Sequence, residues 1–331
     1  MGEVGGVKDD GHVQGNAPGG TGGGSPPCTE EVGEGYAGHS PLLFSIAYRM
    51  TGSVSDAEDI VQEAFARLAQ AVRRGTLVSE PKAYLATTAT RLALNHLRSA
   101  RLHRESYVGT WLPEPVLTGP GPEEHAEMAD SLSMAFLVLL ESLSPTERAV
   151  FLLHEVFGYE HREIAEITGT SEANSRQILA RARRHVDEGK PRFEASRAQR
   201  EEVARRFFAA ADGGDLDGLL RALAPDVVYY GDGGGKARAV AVPLHGRDRV
   251  ARFLAELFRR FRNLEASFRI VEANGQPAAV TYDRDGHVVN VLALDIADGV
   301  VQAVRCVVNP DKLRHLGQVS ELARKPPPRT R

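Results

Sequence analysis

Between Gly158 and His185 the chain carries two kinds of polar side chain in a fixed order. Glu172, Asn174, Arg176 and Gln177 come first and can hydrogen-bond base edges. Arg181, Arg183 and Arg184 follow and suit phosphates. Carboxamide and guanidinium groups pair bidentately with purine edges in a major groove, and base sequence is read there, whereas phosphate contacts position without discriminating. Ser171 is a good N-cap, so the helix that presents these groups is expected to begin there, with Ser171 at its exposed end. Ser175 falls where such a helix turns inward and is expected to be structural.

The element that positions them reads as two helices joined at Gly169. Ile164, Ala165 and Ile167 share one face of the first, and Ile178, Leu179 and Ala182 share one face of the second. That is the pattern of a helix-turn-helix. An amphipathic helical hairpin with a solvated basic face has the same stripes, so this window alone leaves both readings open.

Two further clusters lie upstream. Asp56, Glu58, Asp59 and Glu63 accompany an apolar set of Ile60, Ala64 and Phe65. Such a helix suits a basic helical partner, and an acidic face turned to solvent has the same composition. Thr87, Thr88, Arg91, Asn95 and Arg98 recur at three- and four-residue steps, hence near one helical face. Hydroxyl, amide and guanidinium groups so placed can hold an unstacked base and its phosphates, with Arg101, His103 and Arg104 adding phosphate contacts. The formal net charge is −4, but the acids around Asp56 are segregated from the basic stretches Arg91–Arg104 and Arg176–Arg192. Segregation of that kind suits one face for nucleic acid and another for a protein.

The 331 residues allow two or three domains. No run approaches the ~18 apolar residues of a membrane helix, and the start lacks the regions of a signal peptide, so a cytoplasmic protein with no membrane partner is expected. Cys28 and Cys306 are the only cysteines, too few for a disulfide framework or a cysteine zinc site. No metal and no cofactor are expected. Residues 1–38 are Gly-rich and read as a disordered tail. Helical patterning starts at Ser40, with Ser55 expected to cap a helix through Leu68 and Glu80-Pro81 expected to open another to about Arg104. Trp111-Leu-Pro-Glu-Pro115 and Thr118-Gly-Pro-Gly-Pro122 read as linker. Ser144, Pro145 and Glu147 form a helix start. Beyond Pro191, short helices at 201–211 and 215–222 precede a strand at 227–230. A helix at 246–261 is followed by strands at 266–271, 278–282, 287–296 and 300–308, with Asn274-Gly275 and Asp298-Gly299 as hairpin turns. Helices followed by a meander imply an α+β domain with a curved antiparallel sheet.

Asp56-Ala-Glu-Asp-Ile-Val-Gln-Glu-Ala-Phe65 resembles the core-binding helix of bacterial RNA polymerase sigma factors of the extracytoplasmic-function type. Its spacing to the helix-turn-helix resembles that between the family's two modules, σ2 and σ4. Trp111-Leu-Pro-Glu-Pro115, Asp232-Gly-Gly-Gly-Lys236 and Asn309-Pro-Asp-Lys-Leu313 resemble signatures of a subgroup with a fused SnoaL-like domain. The resemblance spans about Ser40 to Leu316. It implies a multidomain fold: two all-α sigma modules, the second with the helix-turn-helix, then an α+β SnoaL-like (NTF2-like) cone. The implied domains are 39–108 (σ2), 109–128 (linker), 129–190 (σ4), 197–316 (SnoaL-like) and 317–331 (flexible tail). The implied partners are core RNA polymerase, through the β′ clamp and the β subunit, and promoter DNA. Asp56, Asp59, Ile60, Glu63 and Phe65 would bind the polymerase. Thr87, Thr88, Arg91, Asn95, Arg98 and Arg101 would read and melt the −10 element. Ser171, Glu172, Asn174, Arg176, Gln177 and Arg181 would read the −35 element.

The third domain is the least specified. Asp232, His245, Asp283, His287 and Arg305 could furnish a pocket, yet no motif spacing ties one to another, and no catalytic residue is assigned. The Asp232–Lys236 loop carries one acid and one base, which suits a detachable interdomain contact. Trp111 between its prolines is the candidate receptor, giving Trp111, Pro113, Asp232, Lys236, Asn309 and Asp311 as the interdomain set. A SnoaL-type cyclase or isomerase tethered to a DNA-binding unit, and a helix-turn-helix repressor with a ligand domain, are the rival readings. A small-molecule ligand for the cone is left open.

Overall fold

The computed structural model describes residues 29–105, 107–119, 131–189 and 196–323. Helices α1 (Thr29–Thr51), α2 (Val54–Arg73) and α3 (Pro81–Glu105) form the first layer. A two-residue strand β1 (Leu117–Thr118) follows. Next come α4 (Met134–Leu140), α5 (Pro145–Glu155), α6 (His161–Thr168) and α7 (Glu172–Gly189). The remainder is α8 (Arg197–Gly213), α9 (Leu216–Ala222), β2 (Leu223–Asp232), β3 (Leu244–His245), α10 (Arg247–Asn263) and β4 (Ser267–Ala273). β5 (Gln276–Tyr282), β6 (Val288–Ala297) and β7 (Val300–Val307) complete the sheet, and short 3₁₀ turns follow it. Among the described residues no helix is long and apolar enough to cross a membrane.

The expected helices form, with instructive shifts. α1 begins eleven residues before Ser40 and carries Pro41 inside it, so the expected tail of residues 1–38 is too long at its end; most of that tail lies outside the described residues. α2 is capped by Ser53, not Ser55: the Ser53 hydroxyl accepts from the Asp56 amide at 3.2 Å. The Glu114 carboxylate explains the earlier start. It accepts from the amides of Val54 (2.8 Å) and Ser55 (3.4 Å) and from the Ser53 hydroxyl (2.9 Å), satisfying donors that a helix leaves open at its start. The Ser144–Glu147 capping box of α5 forms as the sequence requires.

The two helical modules do not keep separate cores. Leu43, Ile46, Leu85 and Leu94 of the first share one apolar cluster with Phe136, Leu152, Ile164 and Ile178 of the second. The sheet of the last domain runs β1-β4-β5-β6-β7-β2-β3. It is not wholly antiparallel, since β2 and β7 pair in parallel; the crossover through α10 frees the chain from hairpin geometry at that point. Asn274 (φ 54°) and Gly275 (φ 68°), like Asp298 and Gly299, adopt the left-handed pair that a two-residue hairpin needs.

Residues 112–118 depart most from expectation. Rather than a free linker they are largely buried, and β1 adds an antiparallel edge strand to β4. Leu112, fully buried, and Met134 at the start of α4 pack with Val280, Val291 and Val307 on the sheet. A leucine so enclosed contributes about 1.5–3 kcal/mol of transfer free energy. Residues 120–130 lie outside the described residues.

Candidate functional site

In the helix-turn-helix, Gly169 takes a left-handed conformation (φ 71°) and ends α6. The Ser171 hydroxyl accepts from the Asn174 amide at 3.2 Å, as an N-cap should. Ser171, Glu172, Asn174, Arg176, Gln177 and Arg181 are all exposed on one side of α7, while Ile178, Leu179, Ala182 and Val186 face the core. Ser175 is buried, with its hydroxyl 3.0 Å from His161 Nδ1, so its role is structural. Arg176 pairs with Glu172, Arg183 lies 2.6 Å from Glu155 and Arg181 lies 3.5 Å from Glu147. Exposed pairs of this kind are worth at most about 1 kcal/mol and yield readily to phosphate.

The second polar face lies on α3. Arg91, Asn95 and Arg98 are exposed and Thr87 and Thr88 half-buried, the Thr88 hydroxyl bonding back to the Tyr84 carbonyl at 2.8 Å. Arg101 belongs to α3, but its side chain lies outside the described residues, as do those of His103 and Arg104. Arg91 is already occupied. Its Nε donates to the Ile167 carbonyl at 3.0 Å and its Nη2 to the Glu166 carbonyl at 2.7 Å. It therefore caps α6, where orphan carbonyls and the helix dipole favour a cation. Arg148 on α5 does the converse: Nε and Nη2 donate to the Arg49 carbonyl at 3.1 and 2.9 Å, at the end of α1. Each module thus lends an arginine to a helix terminus of the other. No motif singled out Arg148.

On α2, Asp59 and Glu63 are exposed and Asp56 lies 3.2 Å from His96. Ile60 and Phe65 correct the expectation of an apolar contact face. Both are buried in the helical core together with Ala64, at 6%, 8% and 0% exposure, because the 3.6-residue period that aligns them also aligns them with Ala57 and Val61 facing inward. The surface α2 offers is acidic.

The segment after α3 is tied to the last domain by many hydrogen bonds. Asp232, fully buried, accepts from the Leu112 amide at 2.8 Å, Lys312 Nζ at 2.7 Å, the Gly234 amide at 3.1 Å and the Tyr107 hydroxyl. Lys312 also donates to the Leu112 carbonyl, and its ammonium stands 4.4 Å from the Trp111 ring centroid and 4.9 Å from that of Tyr107. Asn309 Nδ2 donates to the Tyr107 hydroxyl at 2.9 Å. Lys236 pairs with Asp311, exposed, and not with the linker. Trp111 presses on Gly52, where an added Cβ would stand 2.6 Å from the indole Cη2, and Gly52 has φ +70°, so glycine is required twice over. Pro113 is buried beside it.

A second knot lies at the β4–β5 hairpin. Asn274 Nδ2 donates to the Tyr48 hydroxyl (2.7 Å) and the Leu132 carbonyl (3.0 Å), and its Oδ1 accepts from the Val116 amide (3.0 Å). Tyr48 in turn donates to the Glu114 carbonyl at 2.6 Å. Burial pushes its hydroxyl pKa up, which keeps it a neutral donor. His315 donates to the Pro115 carbonyl at 2.7 Å, and the Thr118 hydroxyl to Glu272 at 2.7 Å. Sequence reasoning chose Asn274 only as a turn residue and passed over Glu114 and Lys312 inside strings it had quoted; Tyr48 and Tyr107 carried no signal.

Of the remaining pocket candidates, Asp283 and His287 come together. Asp232 is spent on the linker, and His245 is exposed on β3. Asp283 and His287 share one turn, 3.6 Å apart, and Arg305 pairs with buried Asp295 at 2.8 Å under the Tyr230 ring.

The chain matches the Sigma-70 region 2 family over residues 36–103, Sigma-70 region 4 over 133–186 and the SnoaL-like domain over 204–308. It is 40% identical over 282 residues to the ECF RNA polymerase sigma factor SigJ of Mycobacterium tuberculosis, covering 82% of this chain and 89% of that protein. It is 32% identical to the probable ECF RNA polymerase sigma factor SigI of the same species, covering 86% and 95%. The crystal structure of SigJ superposes with a TM-score of 0.67 at 36% identity, covering 86% of this chain and 98% of that one.

Proposed function

Because this chain belongs to the extracytoplasmic-function RNA polymerase sigma factors, we propose that its SnoaL-like domain and linker hold the two promoter-reading modules closed until polymerase and promoter pull them apart. Sigma factors bind core RNA polymerase and promoter DNA, and this chain is one, with region 2, region 4 and a C-terminal SnoaL-like domain. On this reading it works in the cytoplasm. The acidic face of Asp56, Asp59 and Glu63 meets the β′ clamp, and σ4 meets the β subunit. Thr87, Thr88, Arg91, Asn95, Arg98 and Arg101 serve the −10 element; Ser171, Glu172, Asn174, Arg176, Gln177 and Arg181 serve the −35 element.

The observation that carries the proposal is Asn274, which bonds σ2 through Tyr48, the linker through Val116 and σ4 through Leu132 with one side chain. Geometry supplies the reason to open. At about 3.4 Å per base pair, the roughly 25 base pairs implied by the names −35 and −10 span about 85 Å of duplex. Here Arg91 of the −10 face touches the helix that leads directly into the −35 reader. On this reading the two faces lie too close together to serve both elements until the modules separate. On this reading the C-terminal domain acts as a clasp.

Run-off transcription with purified core polymerase on the promoter of its own gene tests this. Asn274→Ala and Lys312→Met, which open the clasp, are expected to change promoter output at unchanged core affinity; identical output from the wild type and both variants would reject the clasp.

A further inference from the structure

The SnoaL-like domain holds a cavity of about 290 Å³ between α10 and the sheet. Its walls are apolar: Phe253, Leu257 and Phe261 from the helix, Val289 and Val308 from the sheet side, with Leu322 of the last 3₁₀ turn across it. Its size lies at the lower end of the range for small-molecule sites. Tyr229, Asn290 and Cys306 also line it, and two arginines, Arg238 and Arg260, are its only charged groups among the described residues.

Both guanidinium groups are exposed, and neither makes an ion pair with any described residue. The acid nearest in effect to Arg260 is Glu256 on the same helix, and it is paired with Arg259 at 2.6 Å. Arg205, Arg259 and Arg305 of this domain are ion-paired, with Glu202, Glu256 and Asp295; Arg238 and Arg260 are the arginines that line this cavity. Two unmatched cations at the rim of an apolar cavity form an electrostatic complement to an anion with a hydrophobic body, and guanidinium is the group that binds carboxylate bidentately. The cavity floor offers no reactive pair. Cys306 is pushed up to about 11 by burial, so it is a thiol and not a thiolate nucleophile, and Asp232, His245, Asp283, His287 and Arg305 are absent from the lining.

We propose that this cavity binds a small molecule with an apolar body and one anionic head, a monocarboxylate of medium-chain or aryl type, tail inward and head between Arg238 and Arg260. The claim concerns binding alone and does not rest on the regulatory reading.

Titration calorimetry and thermal melting of the full-length protein test it, with octanoate and 4-phenylbutyrate as probes and octanol and octylamine as neutral and cationic controls. Expected are saturable one-site binding of an anion at least tenfold tighter than either control, and a melting point that rises with its concentration. Arg238→Gln and Arg260→Gln should each weaken it about tenfold, while Leu257→Trp, which fills the cavity, should abolish it. No saturable binding of either anion, equal affinity for the controls, or unchanged affinity in the double arginine variant overturns the proposal. Unliganded melting points equal to wild type establish that the variants are folded.

Discussion

The Asn274 amide nitrogen lies 2.7 Å from the Tyr48 hydroxyl, joining a hairpin tip of the C-terminal sheet to the first helix of the promoter-reading layer. That bond belongs to a closed set in which the donors and acceptors of Asn274 are shared among both helical modules and the segment between them. Removing the side chain strands several buried polar groups at once. An unsatisfied buried donor or acceptor costs about 1–3 kcal/mol, so Asn274→Ala is expected to lower the urea midpoint of the interdomain transition and to hasten proteolytic cleavage near residue 119. Tyr48→Phe, which loses only the hydroxyl, should do the same to a lesser degree.

Lys312→Met leaves Asp232 buried without its cation. Breaking a buried pair on one side costs about 3–5 kcal/mol, whereas replacing both partners is far milder. The double variant Lys312→Met/Asp232→Asn should therefore recover much of the loss. Trp111 is the only tryptophan and stands under Lys312, so a red shift of intrinsic fluorescence in the single variant, reduced in the double, is the direct readout.

Arg91 has one guanidinium and two claims on it. In the closed form it caps α6, and in the promoter complex it is assigned to the −10 face. Arg91→Ala is expected to loosen σ2 from σ4 in the free protein and yet to weaken promoter melting, read by permanganate reactivity, with core affinity unchanged. Arg91→Lys, without the planar fork, should rescue neither fully.

On α7, Arg176→Ala should reduce transcription more than Arg184→Ala. A bidentate base contact carries about 1–3 kcal/mol of discrimination and a phosphate contact almost none. A promoter reporter with single-base −35 variants checks this, since only Arg176→Ala should flatten the base preference.

The α7 surface was legible because each signal is local: Gly169 for the turn, Ser171 for the cap, a 3.6-residue stripe for the core. The same logic misled at Ile60 and Phe65, where periodicity marks an apolar face but not which neighbour covers it. It failed outright at residues 112–118, whose prolines read as a loop. Their backbone groups are satisfied by Gly52, Asp232 and Asn274, partners that only the tertiary fold brings close. Lys312 and Glu114 lie inside strings quoted as signatures, yet nothing local says which buried partners they meet.

We propose that the C-terminal domain keeps the two promoter-reading modules together in the free protein. The most direct measurement is the spin-label distance between Gln70 on α2 and Arg184 on α7. In the free wild-type protein it should be short and narrowly distributed, widen in Asn274→Ala and Lys312→Met, and lengthen by several nanometres on polymerase with promoter DNA. A distribution unchanged by both variants and by the polymerase–promoter complex would contradict the account.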